Sequence, residues 1–172
     1  KIDELNEELE AADKKIKEYE ELLEREKEKN KLYLSSYEAL INAHMEYEKG
    51  NFIDSALLLQ EHCDPDHLNN KALEMYTDLK NKVYKEASYK LYTDGYNLYK
   101  NKAYGEAIKS FKLSLSLTGS EYYSDDCYYF MAYSYYFIND HEQARQTAQT
   151  LLEKYPESTY KNATEELLRM IG

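Results

Sequence analysis

Turn-forming residues and cysteine are scarce in this chain, and tryptophan is absent. Two Pro and five Gly among 172 residues leave little material for the turns of a sheet-rich fold, so helices are favoured almost throughout. The two cysteines, Cys63 and Cys127, do not make a disulfide framework. No apolar run approaches the roughly 20 residues that span a membrane, and no signal peptide is visible. Since the chain begins with Lys1 rather than Met, we expect a piece of a longer protein, which an anchor or a signal could precede.

Positive charge is also in deficit. The chain has 33 Asp and Glu residues against 22 Lys and Arg, which gives a formal net charge of −11. Phosphate backbones and anionic lipid surfaces bind clustered Lys and Arg, and no basic block occurs here. The composition therefore disfavours nucleic acid as a partner, and it disfavours direct membrane insertion or surface binding by this segment.

Catalytic signatures are missing as well. The sequence contains no GxSxG, no Gly-rich phosphate loop, no HExxH and no calcium loop. His44 and His141 are isolated, and a lone histidine in such a place is usually structural or exposed. We therefore predict that the protein is not an enzyme and that it needs no cofactor.

Residues 61–67, EHCDPDH, are the one stretch that concentrates metal-ligand side chains. A zinc site needs three or four converging ligands, and the rest of the sequence offers no clear fourth one. Asp64 suits a helix N-cap and Pro65 suits a first helical position, so we interpret the stretch as a joint between two helices. The alternative is a metal-binding sensor centred on His62, Cys63 and His67.

The first 34 residues carry an apolar stripe among charged residues. The apolar positions alternate spacings of three and four, a period of 3.5 residues that is typical of a coiled coil. We predict a coiled-coil helix over residues 1–34 that makes the chain a homo-oligomer; an exposed single helix or a fold-back is the alternative. The predicted oligomerisation residues are Ile2, Leu5, Leu9, Ala12, Ile16, Tyr19 and Leu23.

Beyond residue 34 one spacing pattern occurs three times. The three copies are aligned on Ala56, Ala107 and Ala144. The eighth place then holds a small residue in the second and third units, Gly95 and Ala132, but His44 in the first. The pattern resembles the tetratricopeptide repeat, a unit of about 34 residues built from two antiparallel helices.

That resemblance implies an all-α fold, with an N-terminal coiled-coil helix followed by a short helical solenoid over residues 35–172. The repeat-like units are 37–68, 88–119 and 125–156. Residues 66–87 form a helical insertion that we expect to continue into the first helix of the second unit. Residues 158–171 form a C-terminal capping helix with Ser158 as its N-cap.

The stretch at 155–160, of the form YPxSxY, gives a narrower resemblance. Together with a coiled coil ahead of the repeats, it is similar to bacterial envelope proteins of the type that coordinates cell division with the Tol-Pal system. The resemblance implies a location on the extracytoplasmic side of the cell envelope.

Tyrosine is abundant, with twenty Tyr against four Phe. Two triplets are spaced four and three residues apart, so that each lies on one helical face, and in the resembled family this face lines a concave groove. In this alignment Ile41 and Met45 are the equivalents in the first unit. We predict a peptide-binding groove made of Tyr89, Tyr92, Tyr96, Tyr99, Tyr129, Tyr133, Tyr136 and Phe137. The predicted function is a non-catalytic adaptor that binds a peptide or protein segment; the alternative is a structural scaffold or spacer whose tyrosines pack in the interior.

Overall fold

The computed structural model describes all 172 residues, and its regular structure is entirely helical. The helices are α1 (Ile2–Glu48), α2 (Phe52–Glu61), α3 (Asn70–Lys100), α4 (Tyr104–Leu117), α5 (Ser124–Phe137), α6 (His141–Lys154) and α7 (Lys161–Ile171), with a 3-10 turn at Pro65–His67. The predicted all-α class with a long N-terminal helix is confirmed. None of the helices combines the length and the hydropathy that a membrane crossing requires.

Helix α1 is 47 residues long and has two environments. Residues 1–32 are exposed on every side, and we call residues 2–32 the stalk. The buried residues of α1 all lie in its last third: Ser36, Ala39, Leu40 and Ala43. No Gly or Pro occurs before Gly50, so nothing interrupts the backbone hydrogen bonds between the two parts. The predicted division at residues 34 and 35 therefore falls inside one continuous helix.

The remaining helices pack mainly against their neighbours along the chain, from α1 on α2 to α6 on α7. Helix α3 serves two groups, since its first half packs with α1 and α2 through Leu79 and Val83, and its second half packs on α4. The predicted insertion thus continues into the helix that follows it. It begins at Asn70 rather than residue 66, because Asn69 caps α3 by accepting a hydrogen bond from the Ala72 N–H at 2.9 Å.

Three helix pairs are closed by similar turns of three residues, between α1 and α2, α3 and α4, and α5 and α6. The middle residue of each turn is left-handed: Gly50 at φ 80°, Lys102 at φ 62° and Asn139 at φ 63°. A side chain at such a φ is strained, so the recurrence of Lys and Asn there indicates that the packed helices determine the turn.

These turns align the first unit one residue earlier than the sequence alignment does. Counted from the left-handed residue, Ala43 is the equivalent of Gly95 and Ala132, and all three are buried. Ser55, whose hydroxyl donates to the Ala43 carbonyl at 2.7 Å, takes the place that was assigned to Ala56. The alignment was wrong here because Ser55 and Ala56 are both small and both fully buried.

Helix α7 covers the end of the assembly. Leu167 is fully buried in a small core that it shares with Ala132 of α5 and Ala148 of α6. The helix begins at Lys161 rather than at residue 158. Ser158 is not its N-cap: the Ser158 hydroxyl donates to Oδ2 of Asp125 at 2.6 Å and accepts from the Tyr160 N–H at 3.1 Å.

Candidate protein-interaction surfaces

The predicted groove residues of α3 and α5 are brought together, but as a nearly continuous layer of rings. We call the eight predicted residues the aromatic face. Phe130 of α5 lies at its centre, with ring centroids 4.9 Å from Tyr96 and 5.0 Å from Tyr99. Behind it, Phe111 of α4 is fully buried and stacks at 6.2 Å. Phe130 therefore fills the space between the two tyrosine rows.

Helix α7 covers one edge of the aromatic face. Tyr160 stacks on Tyr129 with centroids 4.1 Å apart, and the Tyr133 hydroxyl donates to the Ala163 carbonyl at 3.2 Å. Burial is the main cause that raises the pKa of Tyr133 to about 12 and that of Tyr160 to about 12. These tyrosines hold α7 in place in addition to forming a surface.

Tyr89 and Tyr92 form a second group of rings around Tyr123. Tyr92 stacks on Tyr123 at 4.9 Å, and its hydroxyl donates to Oδ2 of Asp126 at 2.6 Å. Burial first, and then the bond to this carboxylate, raise the pKa of Tyr92 above its ordinary value of 10. Tyr92 thereby joins α3 to α5.

A buried hydroxyl network, which the spacing of the residues did not predict, lies behind this group. Ser88 donates to the Ser114 carbonyl at 3.0 Å and accepts from Thr118 at 2.6 Å and from Tyr123 at 3.0 Å. Ser114 returns a bond to the Ser88 carbonyl at 2.8 Å. The network fixes α3, α4 and the start of α5 relative to one another, with its polar groups satisfied.

The accessible part of the aromatic face is therefore narrower than the predicted set. Tyr89 and Phe137 are each 45 % exposed and Tyr96 is 36 % exposed, whereas the other five residues are partly buried. Tyr99 is one of these, and burial raises its pKa to about 12. A ligand would meet the three exposed rings first.

A second surface, absent from the predicted set as a site, lies between α1 and α3. It is an open cavity of about 380 Å³, and we call it the α1–α3 groove. It is lined by Tyr37, Leu40, Ile41, His44 and Met45 of α1, by Lys71, Ala72 and Met75 of α3, and by Asn69, the N-cap of α3. Ile41 and Met45 are exposed at helical spacing, which is the sequence signal for this surface.

The α1–α3 groove is open because the α3 residues beside α1 do not fill it. In the register set by the turns, Leu40 and His44 take the places of Tyr92 and Tyr96. Phe130 fills the space beside Tyr96, but Ala72 and Met75 are the α3 residues beside Leu40 and His44, and they leave room. The same place in two units is therefore filled in one and open in the other.

Residues 61–67 form the predicted joint. Pro65 opens the 3-10 turn, and Asp64 caps it by accepting from the Asp66 N–H at 3.0 Å. Cys63 is buried, and burial raises the pKa of its thiol, so the metal-binding thiolate is disfavoured. Nδ1 of His67 lies 2.9 Å from Oδ2 of Asp64. No group of three His, Cys, Asp or Glu side chains is placed to hold a metal ion anywhere in the chain.

The stalk presents its predicted stripe to solvent. Ile2, Leu5, Leu9, Ile16, Tyr19 and Leu23 are each more than half exposed, and Ala12 is exposed as well. All seven residues lie in the unbroken helix α1 with exposed side chains, so the chain does not fold back over them in this conformation.

The fold and its surfaces define an all-α protein with exposed apolar faces. Neither a scan against protein-family models nor a search of curated proteins found a match to the chain.

Proposed function

We propose that this chain is a non-catalytic adaptor with a tetratricopeptide-like solenoid, which binds a protein segment on its aromatic face and oligomerises through α1. Three observations support the architecture: successive helices pack in order, three turns share a left-handed residue, and a small buried residue recurs at Ala43, Gly95 and Ala132. The resemblance to envelope proteins of the Tol-Pal type supports an extracytoplasmic location.

The observation that carries the binding proposal is the partly exposed aromatic face. Tyr89, Tyr96 and Phe137 stay exposed although the rings beside them are held by hydrogen bonds and stacking. Rigid aromatic rings provide a large contact area with few rotatable bonds, and tyrosine adds a hydroxyl for peptide backbone groups. An extended or helical peptide with apolar and aromatic side chains fits such a surface.

The test uses peptides selected from a random displayed library against the immobilised chain. A selected peptide is then titrated by calorimetry against the wild type and against the triple variant Tyr89→Ala, Tyr96→Ala, Phe137→Ala. Tyr92 and Tyr133 are left intact because their hydroxyls hold α5 and α7. We expect the triple variant to lose at least about tenfold in affinity, or about 1.4 kcal/mol.

The matched control is Leu73→Ala with Met170→Ala, two exposed apolar side chains away from the aromatic face. This variant should bind as the wild type does. If no peptide is selected above background, or if the triple variant binds equally well, the aromatic face is not the binding site.

The scaffold alternative also has an observation in its favour. Phe130, Tyr160 and the carbonyl of Ala163 cover part of the tyrosine rows, as the interior of a spacer would require. The peptide selection separates the two functions, since a scaffold without a binding surface selects nothing.

A further inference from the structure

Seven exposed apolar residues of α1 lie on one line that joins the stalk to the groove. In an α-helix of about 3.6 residues per turn, 18 residues make five complete turns. Leu5, Leu23 and Ile41 are spaced by 18 residues, as are Ile16 and Leu34, and Leu9 precedes Met45 by 36. All seven are more than half exposed.

This line runs more nearly parallel to the helix axis than the predicted heptad stripe does. A 3.5-residue repeat drifts by about 20° per heptad on a straight helix, so Ala12 and Tyr19 lie to one side of the line. The line from Leu5 to Met45 is roughly 60 Å long, because each residue adds about 1.5 Å. It ends in the α1–α3 groove, whose lining includes Ile41 and Met45.

The spacing along this line is the same in both directions. Leu5, Leu9 and Ile16 are separated by four and then seven residues, and Leu34, Ile41 and Met45 by seven and then four. The two residue numbers of each mirrored pair add up to 50. Consider two copies related by a twofold axis that is perpendicular to α1 and lies beside residues 23–27. Leu5, Leu9 and Ile16 of one copy would then face Met45, Ile41 and Leu34 of the other.

Charge favours the same antiparallel arrangement. Residues 1–13, the tip of the stalk, carry six acidic residues and one lysine. A parallel pair in register would place these two acidic tips side by side, at a cost in repulsion. The antiparallel pair separates the two tips and places each over a groove whose walls include Lys71. Lys82 and Asp78 line the cavity next to that groove.

The shape of the groove also favours the antiparallel pair. In a parallel pair each groove would face the equivalent groove, and neither would be filled. In the antiparallel pair a helix carrying Leu5 and Leu9 would face each groove, where Met75 of α3 lines the wall opposite α1.

We propose that two copies of this chain pair antiparallel along α1, and that Leu5 and Leu9 of each stalk tip occupy the α1–α3 groove of the other copy. The proposal rests on the proposed self-association through α1, and it adds the orientation, the register and the occupant of the groove.

The register is tested by cross-linking of introduced cysteines, with sedimentation of each variant to measure its mass. The double variant Leu9→Cys, Ile41→Cys should give a covalent dimer with a short bismaleimide, because residues 9 and 41 face each other across the axis. The single variants Leu9→Cys and Ile41→Cys should not, because identical residues lie roughly 48 Å apart along the helix. Leu23→Cys, next to the axis, should cross-link in either orientation.

Each outcome has a separate meaning. Cross-linking of Leu9→Cys alone would show a parallel pair and overturn the proposal, while self-association through α1 would stand. A trimer would overturn the proposal in the same way. A monomer at all concentrations would overturn both the proposal and the self-association, and peptide binding to the aromatic face would still be measurable on its own.

Occupation of the groove has its own test, since Met75 lies on α3 and not on the paired helix. Met75 is 49 % exposed in the single chain, and Leu73, also on α3 but outside the groove, is 40 % exposed. We expect Met75→Glu to weaken the dimer at least about tenfold and Leu73→Glu to leave its dissociation constant within about threefold. Equal effects of the two variants would show that the groove is empty in the dimer.

Discussion

Gly95 provides the sharpest test of how these helices pack. It lies inside α3, where α3 approaches α4, and an added Cβ would meet the ring of Phe111. The Cβ would lie 2.8 Å from Cε1 and 2.9 Å from Cδ1 of that ring. Phe111 is fully buried and has Phe130 stacked beside it, so its ring cannot swing away. The variant Gly95→Ala must therefore push α3 and α4 apart.

The net effect is a difference between two terms. Replacing Gly by Ala inside a helix stabilises it by about 1 kcal/mol. Overpacking of a filled core costs about 1–3 kcal/mol, and contacts below 3.0 Å against an immobile ring indicate the upper part of this range. We expect Gly95→Ala to lower the free energy of unfolding by about 1–2 kcal/mol, which lowers Tm by roughly 2–8 °C in a chain of this size.

Gly105 is the matched control. It lies in the first turn of α4, and an added Cβ there has no atom within 4 Å. The variant Gly105→Ala should be neutral or more stable by up to about 1 kcal/mol. Both variants are measured by urea unfolding followed by circular dichroism at 222 nm. If Gly95→Ala proves as stable as Gly105→Ala, the close approach of α3 and α4 at Gly95 is wrong.

Two further predictions concern buried hydroxyl groups. Ser88→Ala removes the acceptor for Thr118 and Tyr123 and should lower the free energy of unfolding by about 1–3 kcal/mol. The control Ser116→Ala, at an exposed hydroxyl, should change it by less than about 0.5 kcal/mol. Equal effects of the two variants in urea unfolding would contradict the network. Because burial raises the pKa of Tyr99 to about 12, its contribution to stability is complete below pH 10 and is lost as the pH rises towards 12. Absorbance at 295 nm should then show a late ionisation step that coincides with loss of helicity, and a single step near pH 10 with helicity retained would refute this.

Much of the fold is readable from composition and spacing. The scarcity of Gly and Pro predicts long helices, and the small residues Gly95 and Ala132 mark where two helices approach closely. These signals depend on backbone geometry and residue size alone, which a sequence carries directly. The union of the insertion with the following helix was predictable for the same reason, since no breaker lies between residues 70 and 94.

The alignment of the first unit with the other two could not be predicted from the sequence. Ser55 and Ala56 are both small enough for the helix contact, and only the left-handed Gly50 decides between them. The accessible part of the aromatic face was unreadable for a different reason. Spacing shows that Tyr129 and Tyr133 share a helical face. It does not show that Tyr160, which precedes α7, and Ala163 of α7 lie over them.

The two surfaces suggest a division between self-association and ligand binding. The place that Phe130 fills beside Tyr96 is open beside His44, so the first unit has an open groove where the second unit is filled. The exposed residues of the aromatic face, Tyr89, Tyr96 and Phe137, belong to the second half of α3 and to α5, while the groove uses α1 and the first half of α3. If each surface has its own occupant, Met75→Glu should weaken the dimer and leave the affinity for a selected peptide unchanged, and the Tyr89, Tyr96 and Phe137 variant should do the reverse. Loss of both activities in either variant would mean that the two surfaces act as one site.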